Sequence, residues 1–302
     1  MYDLIIIGGG PAGVAAGVYA GRKKMKTLLV AEAIGGQSVV SAGIQNWIGD
    51  IEISGFDLAQ RLEAHLRSQP EVEVVTGERV ASVSKTPTGY EVKTGSGQTY
   101  SARFLLITSG SRRRKLNVPG EAEFESKGVF YCSICDAPVM AGKSAAVVGG
   151  GNAGLEAVLD LLPYATEIYL LERGEALKGD AVTQEKIKAD PKVHIITQAE
   201  VQRILGEQFV SGLECLDRKS NQVQTLPASG VFVEIGAVPN AEFLGDLVKT
   251  NELHEIVVDH QTQATSDPGI WAAGDVTDVL YKQNNISAGD AIKAVLNIYQ
   301  QI

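Results

Sequence analysis

Two cysteines spaced by two residues, in Tyr131-Cys132-Ser133-Ile134-Cys135-Asp136, point most directly to chemistry in this chain. Two thiols at that spacing can close a disulfide, and a nearby charge or helix N-terminus can stabilise the attacking thiolate. Asp136 follows at once, where a carboxylate can give or take a proton during exchange, although Asp is also a common helix-start residue. Tetrahedral zinc would need two further ligands, and neither a second Cys pair nor a Cys/His pair is placed to supply them. Redox activity is therefore expected of Cys132 and Cys135, with an inert reduced pair as the bland alternative and no metal site. Cys215, alone in Leu213-Glu214-Cys215-Leu216, reads as a small buried hydrophobe. His65, His194, His254 and His260 read as structural or exposed.

Phosphate chemistry is signalled twice. A strand over Asp3–Ile7 runs into Gly8-Gly9-Gly10-Pro11-Ala12-Gly13, a helix follows through Arg22, a second strand covers Thr27–Ala31, and Glu32 stands 24 residues beyond Gly8. Mid-chain, a strand over Ala145–Val148 leads to Gly149-Gly150-Gly151-Asn152-Ala153-Gly154, a helix through Leu162 and a strand over Glu167–Leu171, with Glu172 placed 23 residues beyond Gly149. A pyrophosphate must lie against backbone N–H groups at a helix N-terminus, and a Cβ there would hold it off. The carboxylate closing the second strand meets ribose hydroxyls. Bare glycine spacing is a weak signal, but with strand, helix and acid all in place it predicts two bound dinucleotides. A tight strand-to-helix turn without ligand is the competing reading, stronger for the second unit because Arg173 follows Glu172.

The elements that must position these residues fill 302 residues, enough for two domains. Lys plus Arg number 27 against 36 Asp plus Glu, a net charge of −9 that lowers the prior for nucleic-acid and membrane-surface roles. The 44% hydrophobic content excludes a disordered chain. The 33 glycines cluster rather than repeat, as they do where backbone approaches a ligand. Three cysteines are too few for a secreted disulfide framework. With no signal peptide before Leu4 and no apolar run near the roughly 18 residues of a membrane span, a cytoplasmic protein is expected. Short strands over Val72–Ser84 and Tyr90–Val92 predict an antiparallel meander inserted in the first domain. Crossovers are placed at the basic run Arg112–Lys115 and at Gly236–Asn240, after the apolar strand Val231–Ile235. The chain then returns through a strand over Ile270–Ala273 to a helix from about Ile286. The expected fold class is α/β, with two nested Rossmann-like dinucleotide-binding domains of the three-layer ββα type: residues 1–115 with 240–302, and an inserted 116–239 carrying the cysteines.

Two dinucleotide folds with Cys-x-x-Cys-Asp between their glycine motifs resemble the low-molecular-weight thioredoxin reductase family. The likeness covers essentially the whole chain and is greatest to the reductase portion of the alkyl hydroperoxide reductase flavoprotein. It rests on Gly35-Gly36-Gln37, Asn46-Trp47, the Tyr131–Asp136 segment, Gly149–Asn152, Leu171-Glu172, Ala273-Gly274-Asp275 and Tyr281-Lys282-Gln283. The resemblance implies FAD in the first domain, its pyrophosphate at Gly8, Gly10, Pro11, Ala12 and Gly13 and its adenosine ribose at Glu32. Gly36, Gln37, Asn46, Ser109, Gly110, Gly274, Asp275, Lys282 and Gln283 would complete that site. The nicotinamide dinucleotide would lie on Gly149, Gly151, Asn152 and Gly154, near Glu172 and Arg173. Cys135 is implied on the flavin side, Cys132 on the partner side, and Asp136 as proton shuttle.

Three departures refine these expectations. Relatives that prefer NADPH carry His-Arg-Arg and a later Arg after this strand, whereas here Glu172-Arg173-Gly174 stands in place; the carboxylate favours NADH, with Arg173 and Lys178 keeping NADPH open. Thr108-Ser109-Gly110 replaces Ala-Thr-Gly and keeps a hydroxyl. No thioredoxin-like domain precedes residue 1, so the expected partner is a separate thioredoxin-, glutaredoxin- or peroxiredoxin-like disulfide protein. The family also implies a homodimer, and a rotation of the inserted domain near Leu116 and Gly236 is expected to let nicotinamide and disulfide take turns. A ferredoxin-linked reductase, a dithiol oxidase and a flavin-bearing redox sensor remain open alternatives.

Overall fold

The computed structural model describes residues 1–41 and 43–302. Its first passage contains β1 (Tyr2–Ile7), α1 (Pro11–Arg22), β2 (Thr27–Ala31), α2 (Gly55–Arg67), β3 (Val72–Thr76), β4 (Val80–Thr86), β5 (Gly89–Thr94) and β6 (Thr99–Ile107). A short strand β7 (Ser111–Arg113) then leads to β8 (Val129–Phe130), α3 (Ser133–Asp136), β9 (Ser144–Val148), α4 (Asn152–Leu161), β10 (Glu167–Glu172), α5 (Ala181–Lys188) and β11 (Val193–Thr197). Strands β12 (Ala199–Gly206), β13 (Val210–Asp217), β14 (Gln222–Pro227), β15 (Gly230–Val233), β16 (Ala237–Pro239) and β17 (Ile270–Ala272) follow, before α6 (Asn284–Tyr299).

Two compact units result, Met1–Arg112 with Val238–Ile302, and Arg113–Ala237. The divisions fall slightly before the anticipated 115/116 and 239/240. The reason is local: β7 and β16 pair as a two-stranded ribbon, so the basic run placed at the crossover is strand at Arg112 and Arg113.

In the first unit the sheet runs β3-β2-β1-β6-β5-β4, with β17 also on β6. Leu4, Ile5 and Ile6 are fully buried, as a continuous apolar run requires in a strand covered on both faces. The Val72–Ser84 stretch divides. Val72–Thr76 joins β2 in parallel, and only β4, β5 and β6 form the antiparallel meander. Gly77, at φ +81°, makes the turn between the two roles. Side chains alternate between a core against α1 and α6, with Leu4, Ile6 and Leu29, and an opposite core with Ile5, Leu28 and Val30.

The second unit is three layers deep. Its parallel sheet runs β11-β10-β9-β15-β8, and β12, β13 and β14 form a separate antiparallel meander. Ala145 and Val147 face Leu155, Val158 and Leu161 of α4, while Ala146 and Val148 face Val201, Ile204 and Leu213 of the meander. That period of two places one sheet between a helix and a second sheet. Cys215 is buried in the meander core, as a small apolar residue.

Candidate functional site

The Cys132 and Cys135 pair lies just past the C-terminal end of β8, on the single helical turn α3. The two are disulfide-bonded, with Cα atoms 5.4 Å apart. Ser133 between them is buried, and its hydroxyl donates to Asp160 Oδ2 of α4 at 2.8 Å. Asp136 closes the turn rather than opening it, its N–H donating to the Cys132 carbonyl at 3.1 Å. Burial alone pushes its carboxyl up to about 6, so near neutrality it can still carry a proton. Ile134 and Val139 flank the disulfide with exposed apolar side chains.

The two glycine loops repeat each other. Gly8 and Gly149 have φ of +119° and +123°, and a Cβ on Gly13 or Gly154 would strike the Gly8 or Gly149 carbonyl, so helix and strand meet at a distance only glycine permits. Among the described residues, α1 and α4 begin at Gly10 and Gly151 with no side-chain cap and no acid in the first turn. Two helices away from these loops differ. Ser54 caps α2 through the Asp57 N–H, and Asp180 caps α5 through the Thr183 N–H. First-turn N–H groups at α1 and α4 are thus left for an anionic ligand, and a Cβ on Gly151 would enter open space. This cradle fits a dinucleotide pyrophosphate in each unit.

The two acids that close the second strands are held differently. Glu32 is 62% exposed and meets Arg79 at 3.2 Å. Glu172 is buried, its carboxylate accepting the Gly150 N–H at 2.8 Å and the Gly174 N–H at 2.6 Å. A carboxylate has about four acceptor sites, so two remain for ribose hydroxyls. Arg173 turns to Glu200 at 3.2 Å, and Arg218 reaches the same carboxylate at 3.4 Å. Arg218 also donates to the Arg173 carbonyl at 3.3 Å. Asn152, the first residue of α4, accepts the Asp180 N–H at 2.7 Å.

The remaining residues expected at the flavin lie in the first unit. Gly36 and Gln37 open a 3-10 turn beside Gly10. Asn46 donates to Gln283 at 3.3 Å, and its carbonyl accepts from Asn285 at 2.7 Å, joining that loop to the start of α6. Gln283 caps α6 without a side-chain bond of its own to the helix. Ser109 bonds the Asn240 carbonyl and Asn240 returns to the Ser109 carbonyl at 2.9 Å, while Gly110 faces open space. Gly274 packs on Ala12 and Ser287, and Asp275 accepts from Ser287 at 3.5 Å. Lys282 pairs with Glu255 at 2.9 Å and bonds the Thr277 carbonyl.

Asp160, Glu200 and Arg218 were not visible in the sequence motifs; they meet their partners only through the fold. Among the described residues, no three His, Cys, Asp or Glu side chains gather as metal ligands, and no helix is long and apolar enough to cross a membrane.

Residues 2–294 match the family model described as pyridine nucleotide-disulphide oxidoreductase. A Pseudomonas aeruginosa relative, the F component of alkyl hydroperoxide reductase, is 40% identical over 305 aligned residues, covering all of this chain and 58% of that protein. The same-named component in Staphylococcus aureus is 39% identical, with 59% of it covered. The chain therefore spans about three-fifths of the length of these curated relatives. Among solved structures, thioredoxin reductase from Giardia duodenalis superposes with TM-score 0.91 at 30% identity, over 100% of this chain and 99% of that one. Thioredoxin reductase from Streptococcus pyogenes gives 0.91 at 32% identity, over 99% and 97%.

Proposed function

Because the chain belongs to the pyridine nucleotide-disulphide oxidoreductase family, we propose that it passes electrons from NADH, through FAD in the first unit, to the Cys132–Cys135 disulfide and on to a disulfide protein. The observation that carries this reading is a disulfide held on the same sheet as an uncapped glycine-loop helix, with a carboxyl that can hold a proton directly after it. FAD, when bound, supplies a two-electron relay between the nicotinamide hydride and the disulfide.

The chain's own residues do the rest. One electron pair and one proton entering the disulfide break its S–S bond and leave one thiol and one thiolate. The Cys132 thiolate attacks a partner disulfide, forming a mixed disulfide and releasing a partner thiolate. Cys135, deprotonated in turn, attacks the Cys132 sulfur, reforms the internal bond and releases the second partner thiolate. Asp136, next in sequence to Cys135, takes the Cys135 proton and returns it to a departing sulfur in this reading. A thioredoxin-, glutaredoxin- or peroxiredoxin-like protein fits the chemistry, and exposed Ile134 and Val139 give it an apolar rim to meet.

NADH is favoured over NADPH by two features. Glu172 presents a fixed buried carboxylate where a 2′-phosphate would be repelled, and Glu200 engages the guanidinium groups of both Arg173 and Arg218. Steady-state oxidation of NADH that depends on an added disulfide protein tests the proposal; a sensor would bind such a protein without sustained turnover.

A further inference from the structure

Glu121 is buried, and its carboxylate accepts three hydrogen bonds. The Leu116 N–H donates to Oε1 at 2.8 Å, the Asn117 N–H to Oε2 at 2.7 Å and the Tyr131 hydroxyl to Oε1 at 2.9 Å. A buried carboxylate requires such donors, and the two N–H groups alone brace the turn between Leu116 and Glu121. The third donor has a different consequence. Tyr131 directly precedes Cys132, so a bond on its hydroxyl fixes the chain on the N-terminal side of that cysteine. Burial and the Glu121 carboxylate hold this hydroxyl well above the usual phenol range, so it stays protonated and donates. The Lys115 ammonium stands 4.3 Å from the centre of the Tyr131 ring and pairs with Glu125 at 2.8 Å, which holds the ring as well as the hydroxyl.

The other side of Cys132 is held in a similar way. Ser133 is buried, and its hydroxyl donates to Asp160 Oδ2 of α4 at 2.8 Å. Cys132 therefore stands between two residues whose side chains are each bonded to a carboxylate, one from the segment before β8 and one from α4. Ile134, the residue before Cys135, is by contrast exposed.

Resting on the reading of Cys132–Cys135 as a redox pair, we propose that Tyr131 and Ser133 are positioning residues whose bonds to Glu121 and Asp160 hold the Cys132 backbone in place when the disulfide opens. A dithiol with one sulfur held near the other loses less conformational freedom on closing, so its effective concentration for the internal reaction is higher. The two bonds thus favour the disulfide and, by the same factor, make the dithiol a stronger reductant of a partner disulfide. With oxidised dithiothreitol as acceptor, the two cysteine thiols give up two electrons and two protons and join in an S–S bond, and the dithiothreitol ring bond breaks to give two thiols.

The test is the equilibrium between disulfide and dithiol in the whole protein loaded with FAD, set anaerobically at pH 7 by mixtures of reduced and oxidised dithiothreitol and read by maleimide trapping and mass. Tyr131→Phe removes one oxygen, keeps the ring beside Lys115 and leaves Glu121 its two N–H donors. Ser133→Ala removes the bond on the other side. Each is expected to shift the equilibrium toward dithiol by about three- to tenfold, the factor that one hydrogen bond is worth, and the double variant further. Asp160→Asn keeps an acceptor oxygen for Ser133 and should match the parent. A merely structural role would lower the unfolding midpoint in urea and leave the equilibrium of the folded protein where it was. A variant at the parent's equilibrium removes that residue from positioning, and both variants there overturn the proposal. An Asp160→Asn shift as large as that of Ser133→Ala also overturns it, because charge rather than position would then be acting. The two variants lie on opposite sides of Cys132, so one decides the matter if the other fails to fold. A Cys132–Cys135 pair that dithiothreitol cannot cycle in the parent overturns the functional reading instead.

Discussion

The Glu172 carboxylate accepts the Gly150 N–H at 2.8 Å and the Gly174 N–H at 2.6 Å, fastening the second glycine loop and the loop after β10 to one buried acid. Hydrogen bonds to a charged group are the stronger kind, and truncation leaves both N–H groups without their acceptor. Glu172→Ala is expected to destabilise the second unit by about 3 kcal/mol, read by urea unfolding. Glu172→Gln keeps one acceptor oxygen, so it should lose less stability while weakening NADH binding. Equal losses of stability in both variants would contradict the bracing role.

Arg173 and Arg218 share Glu200 at 3.2 and 3.4 Å. All three side chains are partly or well exposed, so the pairs add little to stability, but they decide where two positive charges point. Glu200→Gln should strengthen NADP⁺ binding about tenfold, in a salt-dependent way, and leave NAD⁺ binding unchanged. Calorimetric titration of each nucleotide checks this, and an unchanged NADP⁺ affinity would remove Glu200 from selectivity.

Two glycines of the same loop should fail in different ways. A Cβ on Gly151 meets nothing within 4 Å, whereas a Cβ on Gly154 collides with the Gly149 carbonyl. Gly154→Ala is expected to cost about 3 kcal/mol of stability by overpacking. Gly151→Ala, at the N-cap of α4, should stay within about 1 kcal/mol of the parent's stability, yet lose dinucleotide affinity by more than about tenfold, because the methyl would occupy the place of a bound pyrophosphate. Parent-like binding by Gly151→Ala would mean that the loop holds no phosphate.

Asp136 should show stability and activity moving in opposite directions. Its folded carboxyl is raised from 3.8 to about 6, so its contribution is full below pH 3.8 and is lost as pH rises to about 6. At pH 7.5 the buried charge costs up to about 3 kcal/mol, and Asp136→Asn should recover part of it as a higher unfolding midpoint. The same variant should slow thiol–disulfide exchange by about 10²-fold, measured by stopped flow with a disulfide substrate. Exchange at the parent rate would remove Asp136 from proton transfer.

The glycine turns and their helices were legible because the signal is local: Gly8 to Gly13 and Gly149 to Gly154 carry both backbone conformation and close packing in six residues. The cysteine pair was legible for the same reason. Strand β3 was not, because Val72–Thr76 alternates like a meander strand and only its parallel partner Thr27–Ala31 reveals its place. The bond from the Ser133 hydroxyl to Asp160 joins residues 27 positions apart, and no short-range pattern encodes it. The spacing of Glu172 led to the expectation of a ribose contact but says nothing of the two N–H groups its carboxylate holds. The basic run Arg112–Lys115 likewise resolves into ion pairs with Glu242 at 2.6 Å and Glu125 at 2.8 Å, partners lying far and near in sequence.

Electron flow from nicotinamide to Cys132–Cys135 is tested most directly by anaerobic titration of the purified protein, loaded with FAD, with NADH and separately with NADPH, following both the oxidised-flavin band and trapped cysteine thiols. The account predicts that NADH bleaches the flavin far more readily than NADPH. It also predicts that the parent consumes one more electron pair than a Cys132→Ser, Cys135→Ser variant, with both thiols appearing in the parent. Flavin reduced by dithionite and a dithiol but by neither nucleotide would contradict the account and favour a protein electron donor or an oxidase.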